Sequence, residues 1–153
     1  MGQRMTLDEF VTFEEGQVAC HEFCAGEAFA MDGVSGRHSR VVLNLAWRIA
    51  DLLEGTGCEV FAQSMKLRCA EGVLYPDVMV TCGKALAGDE QLVMNPTVVI
   101  EVLLPRATGY DKRDKFLLYR TLASLREFVL VDAATRQVEV FTRADVGVWQ
   151  FMD

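Results

Sequence analysis

The sequence lacks several features that define particular classes of protein. It contains no run of about 18 or more apolar residues, so no transmembrane helix is expected. The first residues contain no apolar segment of the kind found in secretory signals. The formal net charge is -7, which argues against a protein that coats nucleic acid through bulk positive charge. We therefore expect a cytoplasmic protein with no membrane partner.

Metal-binding residue types are also scarce. The chain has two histidines and five cysteines, and only the segment 20–24 (CHEFC) resembles a metal clip. No second pair of ligands follows at a compatible spacing, although a structural zinc site needs four ligands. The cysteines are odd in number and scattered along the chain, which predicts reduced thiols in a cytoplasmic protein.

The length and composition predict one domain over residues 1–153. Hydrophobic residues make up 51% of the chain, and it contains only three prolines and no repeat or low-complexity run. The mean hydropathy of +0.17 is on the apolar side for a small domain. Apolar surface hidden in a homodimer would explain this value, and a tight core would also explain it.

The pattern of apolar residues predicts an α/β (α+β) fold. Alternation and helical periodicity indicate these elements: a helix over 7–15, a hairpin over 21–31 that turns at Ala25-Gly26, a helix over 38–54, strands over 58–61, 64–70, 75–82 and 97–103, a helix over 111–123, and a hairpin of strands 127–132 and 137–142. One mixed sheet that carries helices is the simplest packing of this order. In the helix over 38–54, Leu43, Trp47 and Ala50 form a second apolar face, which predicts that both sides are covered.

Two acidic residues occupy unusual positions. Glu101 lies inside the apolar strand 97–103 and shares a face with Val99 and Leu103 by alternation. Asp77 lies near the start of the preceding strand, so the two carboxylates would meet if the strands are neighbours. Such a pair suits a divalent cation such as Mg²⁺. The alternative is structural, with Asp77 capping a turn and Glu101 paired to a buried lysine.

Lys115 favours the first of these interpretations. The helical period places it on the side of its helix that carries Leu118 and Leu122. An inward lysine opposite two inward acids forms a plausible acid–acid–lysine site. The alternative is an ordinary ion pair between Asp111 and Lys115, one helical turn apart.

Several motifs together resemble the Uma2 (DUF820) family. They are Tyr75-Pro76-Asp77-Val78-Met79-Val80, Val98-Val99-Ile100-Glu101-Val102-Leu103, Tyr110-Asp111 with Lys115 and Tyr119, Glu127-Phe128-Val129-Leu130-Val131-Asp132, and the His21-Glu22-Phe23 and Arg37-His38 segments. The resemblance implies a PD-(D/E)XK restriction-endonuclease-like fold. That fold has a mixed central sheet flanked by helices, with an αβββαβ core and here an N-terminal hairpin extension.

The resemblance also implies roles for individual residues. Asp77 and Glu101 would be catalytic acids that bind Mg²⁺ or Mn²⁺, with the backbone carbonyl of Val102 as a further ligand. The motif lysine is absent because Leu103 stands two residues after Glu101, and Lys115 matches the place from which family members often supply it. Leu104 is a second departure, since relatives commonly have serine there. Relatives also usually continue with a further C-terminal strand region.

Further residues are candidates for supporting roles. His38 would contact phosphate or a metal-bound water, or would simply be a hydrogen-bonded histidine at a helix start. Lys66 is a second candidate for the motif lysine, although strand alternation predicts that it lies on a solvated face. Asp111 would fix Lys115. Glu22 and Glu27 are candidate outer ligands.

The implied activity is metal-assisted hydrolysis of phosphodiester bonds in DNA. Basic residues gather near the predicted helix over 111–123 and near His38, where they form either a phosphate-binding rim or ordinary surface ion pairs. Two alternative functions are also compatible with the sequence. The first is a catalytically degenerate nuclease fold that acts as an interaction module, and the second is a small-molecule-binding α/β domain.

Overall fold

The computed structural model describes residues 4–31, 33–63, 65–83, 92–104, 109–144 and 147–153, the side chains of 109–113 excepted. The helices in these ranges are α1 (Leu7–Glu15), α2 (Gly36–Leu52) and α3 (Gly109–Tyr119). The strands are β1 (His21–Cys24), β2 (Glu27–Ala30), β3 (Cys58–Ala62), β4 (Lys66–Cys69), β5 (Gly72–Leu74), β6 (Val78–Cys82), β7 (Leu92–Val93), β8 (Val98–Leu103), β9 (Glu127–Asp132), β10 (Gln137–Arg143) and β11 (Trp149–Met152). None of the described helices is long and apolar enough to cross a membrane.

The strands form two mixed sheets. The larger sheet has six strands in the order β11-β10-β9-β8-β6-β3, and the smaller has five in the order β2-β1-β5-β4-β7. The mixed α+β architecture confirms the predicted fold class. The expectation of a single sheet is wrong, because the β1–β2 hairpin pairs with β5 and not with the larger sheet. The short strand β5 was missed in the sequence, and without it the hairpin has no partner.

The larger sheet is covered on both faces. The main core lies on the face that carries α3 and the smaller sheet, and it includes Leu67 of β4, Val99 of β8 and Tyr119 of α3. The opposite face packs against α2 through Val42 and Ile100. A strand buried on both faces reads as a continuous apolar run, which explains the composition of β8.

Helix α2 buries one face and exposes the other. Ser35 caps its N-terminus by accepting a hydrogen bond from the His38 amide, and Val42 is buried against the larger sheet. Leu43 and Trp47 remain 67% and 59% exposed. The prediction that both sides are covered therefore does not hold within a single chain.

Most predicted elements are present, with shifted ends. The 75–82 strand begins only at Val78, and α3 ends at Tyr119 instead of 123, because the main chain tightens into i→i+3 hydrogen bonds from Thr121 and Leu122. Besides β5, the strands β7 and β11 were not predicted. β11 pairs with β10 at one edge of the larger sheet.

Two cysteines are joined in a disulfide. Cys58 of β3 lies directly opposite Cys82 of β6 in the antiparallel register, with 4.1 Å between their Cα atoms. Cys20, Cys24 and Cys69 are free. The expectation of five reduced thiols is therefore wrong for Cys58 and Cys82, because strand register brings together two residues that are distant in sequence.

Candidate functional site

Asp77 and Glu101 meet where the pairing of β6 with β8 ends. Val78 is the register partner of Ile100 in this antiparallel pair. Asp77 precedes Val78 and Glu101 follows Ile100, so the two acids occupy the next opposed positions and the same face. The two strands are therefore neighbours, which is the condition under which the sequence predicts that the two carboxylates meet.

Two donors hold one oxygen of Asp77. The Val102 amide donates to Asp77 Oδ2 at 2.8 Å, and His38 Nε2 lies 3.1 Å from the same oxygen. Burial raises the pKa of Asp77, and the Val102 and His38 contacts oppose this effect without cancelling it. The other oxygen, Oδ1, accepts no hydrogen bond from the part of the chain that the structure describes.

Glu101 is buried, with 8% of its surface exposed. Tyr119 donates its hydroxyl to Glu101 Oε1 at 2.5 Å, and Lys115 Nζ lies 3.4 Å from the same oxygen. Burial raises the pKa of Glu101 to about 7; Lys115 opposes this shift, while Asp77 and Glu22 add to it. An additional positive charge nearby would therefore favour the ionised form of Glu101.

Lys115 points inward from α3, as the helical period predicted. Its ammonium donates to Glu22 Oε1 at 2.9 Å and to Glu101 Oε1 at 3.4 Å. Burial acts against the charged form, but Glu101 and Glu22 outweigh it and raise the pKa of Lys115 well above its usual value. Lys115 is therefore a fixed cation at neutral pH. The side chain of Asp111, its alternative partner, lies outside the described residues.

We call Asp77, Glu101 and Lys115 the acid–lysine cluster. All three line one cavity of about 420 Å³, to which Val102 and His38 also contribute. Among the other candidates, Glu22 lines this cavity, whereas Glu27 and Lys66 do not. Lys66 alternates with the buried Leu67 along β4, so it lies on the opposite face from the main core.

The imidazole of His38 is engaged by Asp77. His38 is 4% exposed, and its Nδ1 has no hydrogen-bond partner among the described residues. The tautomer that suits this environment carries its proton on Nε2 and donates it to Asp77. Its position near the start of α2, where Ser35 accepts from its amide, brings the ring to the cavity.

The donors available to a cation are two carboxylates and a backbone carbonyl. No group of three His, Cys, Asp or Glu side chains suited to a metal ion occurs among the described residues. Mg²⁺ is compatible with fewer protein ligands, since it commonly uses one or two carboxylates and retains waters. The N–H and C=O of a strand residue face the same neighbour, so the Val102 carbonyl faces the Asp77 side, as its amide does.

A second buried cluster connects α1 with the chain segment that precedes Asp77. Glu14 accepts hydrogen bonds from the Tyr75 hydroxyl at 2.9 Å and the His21 amide at 2.8 Å, and it contacts His21 Nδ1 at 3.1 Å. The Tyr75 amide in turn donates to Glu22 Oε1 at 3.4 Å. Glu14 and Tyr119 were not predicted as site residues. Tyr119 lay on the inward stripe of its helix, but nothing in the sequence revealed its partner.

The chain matches one family model and two proteins of a cyanobacterium. The model of the Uma2 family, described as "Putative restriction endonuclease", matches residues 7–153. A Synechocystis protein, uncharacterized protein slr1290, is 30% identical over 98% of this chain and 80% of its own length. A second Synechocystis protein, uncharacterized protein sll1609, is 33% identical over 95% of this chain and 84% of its own length.

One solved structure shares the fold. It is described as a putative nuclease belonging to DUF820 from Anabaena variabilis and aligns with a TM-score of 0.80 at 17% identity. The alignment covers 97% of this chain and 84% of that chain. The predicted nuclease-like fold is therefore confirmed.

Proposed function

Because the chain belongs to the Uma2 family, we propose that it is a metal-dependent endonuclease that hydrolyses phosphodiester bonds in DNA. The observation that carries the proposal is the convergence of the acid–lysine cluster in one cavity. Two opposed carboxylates with a lysine beside them are the residue types that metal-assisted phosphodiester hydrolysis requires. In this proposal the cluster is a PD-(D/E)XK site whose lysine comes from the following helix.

The residues present suit Mg²⁺ or Mn²⁺. Asp77 and Glu101 would bind the cation through the oxygens that the described donors leave free, with the Val102 carbonyl as a further ligand. When bound, the cation polarises a phosphate oxygen and lowers the pKa of a coordinated water. It would also offset the repulsion from Asp77 and Glu22, which adds to the effect of burial in raising the pKa of Glu101.

Lys115 acts in this proposal as a charge and not as a base. Its two carboxylate partners, Glu101 and Glu22, raise its pKa and so favour its charged form. Its role is to orient the water and stabilise the negative charge that develops on the phosphate. Glu22 holds the ammonium from the opposite side, at 2.9 Å.

His38 and Tyr119 position the two acids. Each donates to one oxygen of one carboxylate, so the carboxylate cannot rotate freely and its other oxygen would be available to the cation. In this proposal, Asp111 holds Lys115 in position.

A cleavage assay tests the proposal. Purified protein is incubated with single-stranded, duplex and supercoiled DNA, with Mg²⁺, Mn²⁺ or EDTA. We expect cleavage that requires the cation and falls at least about 100-fold in Asp77→Asn and Lys115→Met. Asp51→Asn is the matched control, since Asp51 is an exposed aspartate on α2 and does not line the cavity.

Two results would contradict the proposal. Cleavage that survives Asp77→Asn would show that another protein in the preparation is responsible. Binding of DNA without cleavage under any metal condition would instead favour the alternative of a degenerate nuclease fold that acts as an interaction module.

A further inference from the structure

A half-exposed apolar rim borders the cavity on the side of the β1–β2 hairpin. Phe29, Met31 and Val34 line the cavity and are 47%, 42% and 48% exposed. They come from β2 and from the connection that leads into α2. Three large apolar side chains indicate a ligand that presents an apolar face, here next to the phosphate that the proposed function places at the acid–lysine cluster.

Phe29 is placed by strand register beside the lysine contact. It lies directly opposite Glu22 in the antiparallel β1–β2 pair. Opposed residues share a face, with Cβ atoms about 4.5–5.5 Å apart. Glu22 also binds Lys115 at 2.9 Å. Phe29 is therefore the cross-strand neighbour of a residue that contacts the acid–lysine cluster.

A nucleotide has the same arrangement of groups. Its phosphate is anionic, and its base offers a flat apolar face one sugar away. Aromatic side chains bind unpaired bases by stacking, with little dependence on sequence. In an intact duplex the base faces are stacked on one another, and the rim would meet only the sugar–phosphate backbone, which offers no aromatic face.

The charge of the cavity supports the same conclusion. Its described lining contains the carboxylates of Glu22, Asp77, Glu101 and Asp114, and Lys115 is its one lysine or arginine. Duplex binding through the backbone depends on several lysine or arginine contacts to phosphates. Within the described lining, stacking is therefore a better source of affinity than charge.

We infer that the substrate is DNA in which the nucleotide next to the scissile phosphodiester is unpaired, with its base stacked on Phe29. The inference rests on the proposed function, since it places the phosphate at the acid–lysine cluster. It assigns Phe29 as a residue that determines substrate class.

Binding measurements test the stacking contact. Fluorescence anisotropy is recorded in the Asp77→Asn background, with a single-stranded oligonucleotide and the same strand carrying abasic sites. We expect Phe29→Ala to weaken binding of the intact strand by about 5- to 100-fold and to leave the affinity for the abasic strand unchanged. Phe29→Trp should restore binding. Phe151→Ala is the matched control, because Phe151 is 55% exposed on β11 and outside the cavity.

Equal weakening of both strands by Phe29→Ala would overturn the inference, since no base contact would then be lost. Tighter binding of an RNA strand of the same sequence would overturn the assignment to DNA.

Cleavage assays separate this inference from the proposed function. We expect the unsubstituted protein to cut a single strand or an unpaired bubble at least about tenfold faster than duplex DNA. Cleavage that depends on Asp77 but is equally fast on duplex would refute the inference and leave the proposed function intact. Absence of metal-dependent cleavage on every substrate would refute the proposed function itself.

Discussion

The hydroxyl of Tyr119 donates a 2.5 Å hydrogen bond to Glu101 Oε1, and both side chains are buried. The contact joins the end of α3 to the middle of β8. Lys115 shares the same oxygen, so the position of one carboxylate depends on two residues of one helix. The contribution of the Tyr119 hydroxyl can therefore be tested by a substitution that leaves Lys115 in place.

Tyr119→Phe removes this donor without changing the volume of the ring. We expect a loss of about 1.5–3 kcal/mol in the free energy of unfolding, since the acceptor is a buried carboxylate. We also expect Mg²⁺ affinity to fall about 10- to 100-fold, because Glu101 loses a group that orients it. Denaturant unfolding and calorimetric metal titration measure the two effects.

Tyr75→Phe provides the matched control for this prediction. Tyr75 is also buried and also lines the cavity, but its hydroxyl donates to the carboxylate of Glu14, which lies outside the cavity. It should lose similar stability and keep its Mg²⁺ affinity. Equal metal affinity in the two variants would contradict a positioning role for Tyr119.

His38→Ala should weaken cation binding and His38→Gln should restore most of it. Alanine leaves Asp77 Oδ2 with the Val102 amide alone, whereas the glutamine amide can reach a position similar to that of Nε2. We expect about 10- to 100-fold weaker Mg²⁺ binding in the alanine variant. His21→Ala is the control, since His21 pairs with Glu14. If glutamine is as damaging as alanine, hydrogen bonding to Asp77 is not the function of His38.

Reduction of the disulfide should destabilise the protein without changing the site. Cys58 and Cys82 are 24 residues apart, a loop whose closure is worth about 3 kcal/mol in the unfolded state. Cys82 is at the opposite end of β6 from Asp77. Unfolding in denaturant with and without reductant tests this, with Cys20→Ser as a control at an exposed free thiol. Five titratable thiols in the oxidised native protein would contradict the pairing.

We expect a homodimer in which a second copy covers the outer face of α2. Leu43 and Trp47 leave this face apolar and open in the single chain, which fits the apolar composition of the sequence. Light scattering should give twice 17.1 kDa. Leu43→Glu should shift the protein to monomer, and Val138→Glu, at an exposed valine of β10, should not. A 17.1 kDa species for the unsubstituted chain would rule out the dimer.

The central strands and their acids could be predicted because local rules determine them. Alternation identifies the face that Glu101 occupies, and the helical period identifies the inward direction of Lys115. Adjacent strands then bring Asp77 to Glu101. These steps need only nearby residues and one assumption about neighbouring strands, which the β6–β8 pairing meets.

The remaining contacts depend on long-range packing. Glu22 reaches Lys115 only because its hairpin belongs to a second sheet that lies across the main core. Cys58 meets Cys82 only through the register of β3 with β6. Neither packing of sheets nor register follows from the periodicity of a single segment, so both were missed.

The link between Lys115 and Glu22 joins residues 93 positions apart, and it connects α3 with the smaller sheet. A contact of such sequence separation requires elements that are distant in the chain to pack together, and this costs loop-closure entropy. A chain in which the smaller sheet and α3 have not packed together therefore lacks the contact between Glu22 and Lys115. Under the proposed function, activity therefore depends on the packing of the smaller sheet against α3 and not only on the paired strands that carry Asp77 and Glu101.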